Sequence, residues 1–324
     1  MRVRCSFAWP CAMTLTSICA PGFAQDPSLS SGQAYPHKLV RIVTLAPGGG
    51  SDVVARLISP SLSEALGQQV IVENRGSIAG EIVAKAAADG YTLLLEGTPL
   101  WILPLFRTVP WDALKDFAPI ALIISTPNVL VVHPSLPVRT VAQLIALAKA
   151  RPGQLNYAAG TIGANPHLAA ELFKSMVGVN IVQVAYKGTG PGVIGLMGGE
   201  VELMFPNAGS ALPYIKSGRL RALGVASLQP SALVPGVPTV AATVPGFEAI
   251  SSQGLLAPAN TPAAIVNRLN RELLRVLNRS ELKERFLNAG MEIAGGTAEA
   301  FSGKMKSDIA KYTQLVKESR IKQN

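Results

Sequence analysis

The sequence predicts an α/β protein whose two lobes face each other across a cleft. Three observations carry that expectation. Short apolar runs alternate with helix-patterned segments, as in strands whose faces are covered by helices. Glycine-rich loops follow strands in two separate stretches, residues 47–52 and 160–190. The 324 residues are 48% hydrophobic and only 15% charged, enough apolar surface for one or two packed domains.

The run Val40-Arg41-Ile42-Val43-Thr44-Leu45-Ala46 reads as a buried strand. Pro47-Gly48-Gly49-Gly50-Ser51-Asp52 is a tight turn. The helix after it aligns Val54, Ile58, Leu62 and Leu66 on one face, and Gly67 stops it. Pro60 inside that pattern predicts a kink. Strands are expected at 70–73 and 91–96 around a helix near 80–88, then a strand at 128–133. A helix over 141–150 is ended by Arg151-Pro152-Gly153. After a strand at 155–159, Asn165 is the expected N-cap of the next helix, with Pro166 at its first position. Strands at 181–186, 201–205 and 220–226 follow, separated by short helices. The alternation predicts parallel sheets. The tail differs. Amphipathic helices from Thr261-Pro262, over 280–289 and from Thr297 predict a helical layer on one lobe.

Arg2 and Arg4 precede an apolar stretch from Cys5 to Ala20, broken by Pro10. Gly22-Phe23-Ala24 then places small residues at the −3 and −1 positions. This predicts a signal peptide over 1–24, cleaved before Gln25. A membrane anchor would need about 20 uninterrupted apolar residues. A lipoprotein would use Cys19, but Thr16-Ser17-Ile18 is a poor lipobox. Cys5, Cys11 and Cys19 all lie in this leader, so the exported chain has no thiol for a disulfide, nucleophile or metal site. Loss of Arg2 and Arg4 takes Lys+Arg from 29 to 27 against 20 Asp+Glu, a net charge of +7. That charge serves solubility or a modest attraction for anions. Without a basic run or interleaved aromatics, nucleic-acid binding is not expected.

The strand–PGGGSD–helix element is the most informative local feature. Its glycines allow close backbone approach, and the helix points its positive end at the same place, which makes an anion site. The rival reading is an ordinary turn. It is neither G-x-G-x-x-G nor a P-loop. The same layout recurs at Gly160-Thr161-Ile162-Gly163-Ala164-Asn165 and at Tyr186-Lys187-Gly188, and Gly97-Thr98 ends another strand. His37, His133 and His167 are too widely spaced for a metal motif. His167 suits backbone bonding better than general-base work. Lys187 suits anion contact better than a Schiff base. No catalytic residue, metal or cofactor is expected.

The ordered set Pro47-Gly48-Gly49 with Asp52, Val72-Glu73-Asn74-Arg75, Ala88-Asp89-Gly90-Tyr91-Thr92-Leu93, Asp116-Phe117-Ala118-Pro119, Tyr186-Lys187-Gly188 and Pro245-Gly246-Phe247-Glu248 resembles the tripartite tricarboxylate transporter substrate-binding proteins, the Bordetella uptake gene family. The resemblance runs from Tyr35 to the C-terminus. It implies a type II periplasmic binding-protein fold, with lobe one at 36–128 plus 256–324 and lobe two at 129–255. It implies a monomer in the periplasm that captures a small carboxylate and delivers it to membrane transporter subunits or a membrane sensor. Carried over by position, the ligand residues are Pro47, Gly48, Gly49, Gly50, Ser51, Asp52, Gly97 and Thr98 from lobe one. Lobe two supplies Gly160, Thr161, His167, Tyr186, Lys187, Gly188 and Asn207. The chain departs from the family at Pro206-Asn207, often Asp-Asn, at Ser252-Gln253, often aromatic, and at Ala164, often Ser. Without a carboxylate at 206 to hold an amine, the resemblance implies a plain acid as ligand rather than an amino acid.

Overall fold

The computed structural model describes residues 35–160 and 163–319; the expected leader and Thr161 lie outside them. The chain begins with β1 (Val40–Thr44), α1 (Gly50–Leu66), β2 (Val70–Asn74), α2 (Ala79–Ala84), β3 (Thr92–Gly97) and α3 (Pro99–Ile102). β1 pairs in parallel with β2 and β3. Val40, Ile42 and Val43 are fully buried, as a strand covered on both faces requires. α1 buries Val54, Ile58 and Leu62 completely, each contributing about 1.5–3 kcal/mol. Gly67 ends α1 at φ 67°, a backbone that glycine adopts without strain. α1 runs through Pro60 as one element, with the ring on the exposed face where the lost backbone bond costs least.

β4 (Phe117–Pro127) leads across one residue, Asn128, into β5 (Val129–Val132). There follow α4 (Val141–Ala150), β6 (Asn156–Ala159), α5 (Asn165–Val177), β7 (Val182–Ala185), α6 (Thr189–Met197), β8 (Leu203–Met204), α7 (Ala208–Lys216) and β9 (Arg221–Val225). β10 (Ile250–Pro258) returns the chain. α8 (Ala263–Leu277), α9 (Ser280–Asn288), β11 (Glu292–Ile293) and α10 (Ala298–Ser319) complete it.

Two sheets result, β11-β4-β10-β3-β1-β2 and β7-β6-β8-β5-β9. They form two α/β lobes, as the resemblance implies. The sheets are mixed rather than parallel, because β10 runs antiparallel to both β3 and β4, and β5 antiparallel to β8 and β9. The two crossings lie side by side: the Asn128 N–H donates to the Ala249 carbonyl at 3.1 Å, and the Ala226 N–H donates to the Asn128 carbonyl at 2.8 Å. β10 pairs with the first sheet from Ile250 opposite Pro127, so the return crossing falls at Ala249, earlier than the 255/256 boundary expected from sequence. In the second lobe, Phe173, Phe205 and Phe247 pack with ring centroids 5.6–6.0 Å apart and seat α5 on its sheet.

Candidate functional site

The glycine turn before α1 is braced from inside. Gly48 adopts φ 74°, and its N–H donates to Asp52 Oδ2 at 2.8 Å. Asp52 Oδ1 accepts from Arg56 Nε and from Asn74 Nδ2, both at 2.9 Å, and Asn74 also donates to the Leu45 carbonyl at 3.0 Å. The Arg56 hydrogen bond, with those from Asn74 and Gly48, brings the Asp52 carboxyl down to about 2. Asp52 therefore spends its oxygens on the turn. The first backbone N–H groups of α1 have no intrahelical partner and are left for whatever lies in front of them.

α5 presents a second such end. Ala164, not Asn165, is its N-cap, without a side-chain bond, and Asn165 is the first helical residue. The loop before it is fixed one step earlier, because Gly163 sits at φ 83° and its N–H donates to His167 Nδ1 at 3.3 Å. His167 is buried, which lowers its pKa and keeps the ring neutral. Where β6 ends, a Cβ on Gly160 would stand 3.2 Å from the Cα of Gly188, so these two turns pack backbone on backbone. Lys187 is exposed. Tyr186 turns towards α6: its hydroxyl lies over Gly195 and donates to Glu200 Oε2 at 2.8 Å.

β3 and β10 form the floor between these ends. The Thr98 N–H donates to the Ser252 carbonyl at 2.9 Å, and Thr98 Oγ1 accepts the Ser252 N–H at 3.1 Å. Gly97 must be small, since a Cβ there would come within 2.7 Å of the Ser252 carbonyl oxygen. Ser252 is fully buried, and its half-buried neighbour Gln253 lines the space in front of this floor.

Two adjoining pockets open on this floor. One, of about 250 Å³, is lined by Gly49, Gly50 and Ser51 of the first turn, by Gly97 and Gln253, and by Ala164 and Asn165 across from them. The other, of about 280 Å³, shares Gly50 and Gln253 and adds Gly48 and Asn207. Asn207 caps α7, its Oδ1 accepting the Ser210 N–H at 2.9 Å. Of the residues expected from sequence, Gly48, Gly49, Gly50, Ser51, Gly97 and Asn207 line these pockets. Pro47, Asp52, Thr98, Gly160, His167, Tyr186, Lys187 and Gly188 do not.

The 250 Å³ pocket receives the N-terminal ends of helices from both lobes, the 17-residue α1 and the 13-residue α5. Their dipoles and unpaired N–H groups converge, which suits a small anion. Sequence reasoning missed Glu96, which also lines this pocket. It is 4% exposed and accepts the Gly97 N–H at 3.2 Å, and burial pushes its carboxyl up to about 7. The one available signal was an acid closing the apolar run Leu93-Leu94-Leu95. Gln253 was visible only as a departure from the family, and its Oε1 is buried without a partner among the described residues. Among those residues no three His, Asp or Glu side chains cluster to hold a metal, and no helix is long and apolar enough to cross a membrane.

A family model described as the tripartite tricarboxylate transporter family receptor matches residues 54–321. Protein BugT of Bordetella pertussis is 36% identical over 301 residues, covering 90% of this chain and 92% of BugT. Among solved structures, R. palustris Rpa4515 with adipate is 35% identical, at TM-score 0.73 over 88% of this chain and 98% of that one. MatC from Rhodopseudomonas palustris with bound malate is 28% identical, at TM-score 0.69 over 87% of this chain and 100% of that one.

Proposed function

The chain belongs to the tripartite tricarboxylate transporter receptor family, and we propose that it is a periplasmic solute-binding protein whose cleft holds one small carboxylate between the N-terminal ends of α1 and α5. The observation that carries this is the lining of one 250 Å³ pocket by both helix ends. Each end offers backbone N–H donors and the positive end of a helix dipole, and pre-set donors cost no rearrangement when the anion arrives. Gly48 to Ser51, Gly97 and Asn207 line the cleft beside those ends, while Asp52 and His167 act by bracing the loops. A ligand that touches both lobes stabilises the closed arrangement. The loaded monomer then delivers its carboxylate to membrane subunits of a tripartite tricarboxylate transporter, or to a membrane sensor, after export and removal of residues 1–24.

Binding without turnover fits the chemistry. His167 Nδ1 already accepts a backbone N–H, and Lys187 stands exposed outside both pockets. Glu96 is the acid that lines the pocket, and the chain's membership of a family of transport receptors supports its being a binding protein rather than an enzyme.

Calorimetric titration of ligand-stripped protein with a carboxylate panel tests the reading. At 100 times its Kd a ligand adds about 2.7 kcal/mol to stability, which raises the Tm of a protein this size by roughly 5 °C. A broad panel that neither binds nor shifts the Tm would overturn it.

A further inference from the structure

We propose that the ligand site continues past Glu96 into a side cavity of the first lobe, and that this cavity takes an apolar, uncharged tail of the carboxylate. The inference rests on the carboxylate reading of the cleft. The side cavity has a volume of about 290 Å³. It shares Leu45, Glu96 and Pro99 with the pocket between the helix ends, so the two spaces have a common wall. Leu100, Leu103 and Trp111 supply much of the rest. The Trp111 N–H is already bound to the Leu100 carbonyl at 3.1 Å, which leaves ring surface for the cavity. Gly80 lets these walls approach one another, since a Cβ there would stand 3.3 Å from both Leu100 and Trp111. A dry cavity of about 150 Å³ already admits a benzene ring, so this one has room for a ring or several methylenes.

Glu96 decides what passes between the spaces. It stands in their common wall, 4% exposed, and accepts a hydrogen bond from the N–H of its neighbour Gly97. A ligand carboxylate pushed against it would make a pair of acids in a water-poor site, where both do not ionise. The charged end of the ligand therefore stays at the helix ends, and only its uncharged part lies beyond Glu96. Each methylene buried there is worth roughly fourfold in affinity. The rival occupant is a second carboxylate reaching the exposed Arg107, which also lines the cavity.

Calorimetry on the full mature chain decides it. The probes are propionate, hexanoate, 3-phenylpropionate and the α,ω-dicarboxylate of hexanoate length. The two tailed monoacids should bind at least tenfold tighter than propionate. Leu103→Trp fills a half-buried lining position and should abolish that gain while moving propionate binding less than twofold. Ser77→Trp, at an exposed lining position, serves if the first variant does not melt cooperatively. Affinity independent of the tail, equal losses for all acids, or a dicarboxylate tighter than hexanoate overturns the inference alone. If no acid binds the wild-type chain, propionate included, the carboxylate reading falls and takes this inference with it.

Discussion

Glu96→Gln isolates what it costs to bury one acid beside the ligand site. Burial moves the Glu96 carboxyl from 4.5 to about 7, with the Gly97 N–H pulling the other way. A folded pKa above the unfolded value means that the native chain holds the extra proton. This group's stability is then fully present below pH 4.5 and is lost as pH rises towards 7. At about 1.36 kcal/mol per pKa unit, the displacement from 4.5 to about 7 corresponds to about 3 kcal/mol. Glutamine retains an oxygen for the Gly97 N–H and has no proton to lose. Urea melts of the two proteins between about pH 4.5 and 8 should show the variant gaining on the wild type by about 3 kcal/mol, with the gain levelling above pH 7. Asp52 does not contaminate this window. Its depressed pKa contributes stability that is present above 3.8 and lost only as pH falls towards about 2. A wild-type-minus-variant difference that stays flat across the range would refute the reasoning.

Asp52→Asn should cost about 1.5–3 kcal/mol in urea melts through the part-buried Gly48 and Asn74 bonds. Arg56, with its side chain 57% exposed, adds little. If Asp52 acts only through the turn, carboxylate affinity should fall no further than the loosened turn explains, and Asn74→Ala should lower it in the same proportion to stability. Gly50→Val places a Cβ 2.9 Å from Gln253 Nε2 and crowds both pockets. Calorimetry should show at least tenfold weaker binding with little change in melting temperature, because the displaced atom is the far end of a side chain; unchanged binding would mean that the loop is only a turn.

Much of the frame was legible because the local signals agreed. The helix over 141–150 matches α4 residue for residue, since Thr140 caps it through its side chain and the Arg-Pro-Gly run stops it. The strand at β1 was plain from its apolar run. β4 was not, because Pro119 and Pro127 argue against a strand. They are tolerated because β4 is a crossing strand whose pairing with β10 shifts register along its length. The glycine turn was readable as an anion site from its spacing. The roles within it were not: a sequence cannot say that Asp52 turns inward to Gly48 or that Tyr186 turns away to Glu200. Glu96 stayed hidden for a related reason. Only the fold reveals that the end of β3 opens onto two spaces at once.

Pro206 carries no selection against an amine: it is buried, its carbonyl accepts the Val129 N–H at 2.8 Å, and it lines neither cleft pocket. The choice between a plain acid and an amino acid passes to Gln253 and Glu96, which do line the pocket. Gln253 offers an ammonium at most one neutral acceptor, its Oε1, which is buried and has no partner among the described residues. A neutral hydrogen bond returns about 1 kcal/mol, whereas stripping water from an ammonium costs several. Gln253 alone therefore leaves the amine disfavoured. Glu96 could redress the balance only as an anion, and burial keeps it neutral until about pH 7. An amino acid should thus bind more weakly than its deaminated counterpart in mild acid, and the gap should narrow above pH 7 as Glu96 ionises. Competitive calorimetry with phenylalanine and 3-phenylpropionate at about pH 6 and about pH 8 measures this directly. The acid should lead by at least tenfold at the lower pH, and in Glu96→Gln the gap should no longer depend on pH. Phenylalanine binding tighter than 3-phenylpropionate at the lower pH would mean that another group in the cleft pays for the ammonium, and the selection would not rest on these two residues.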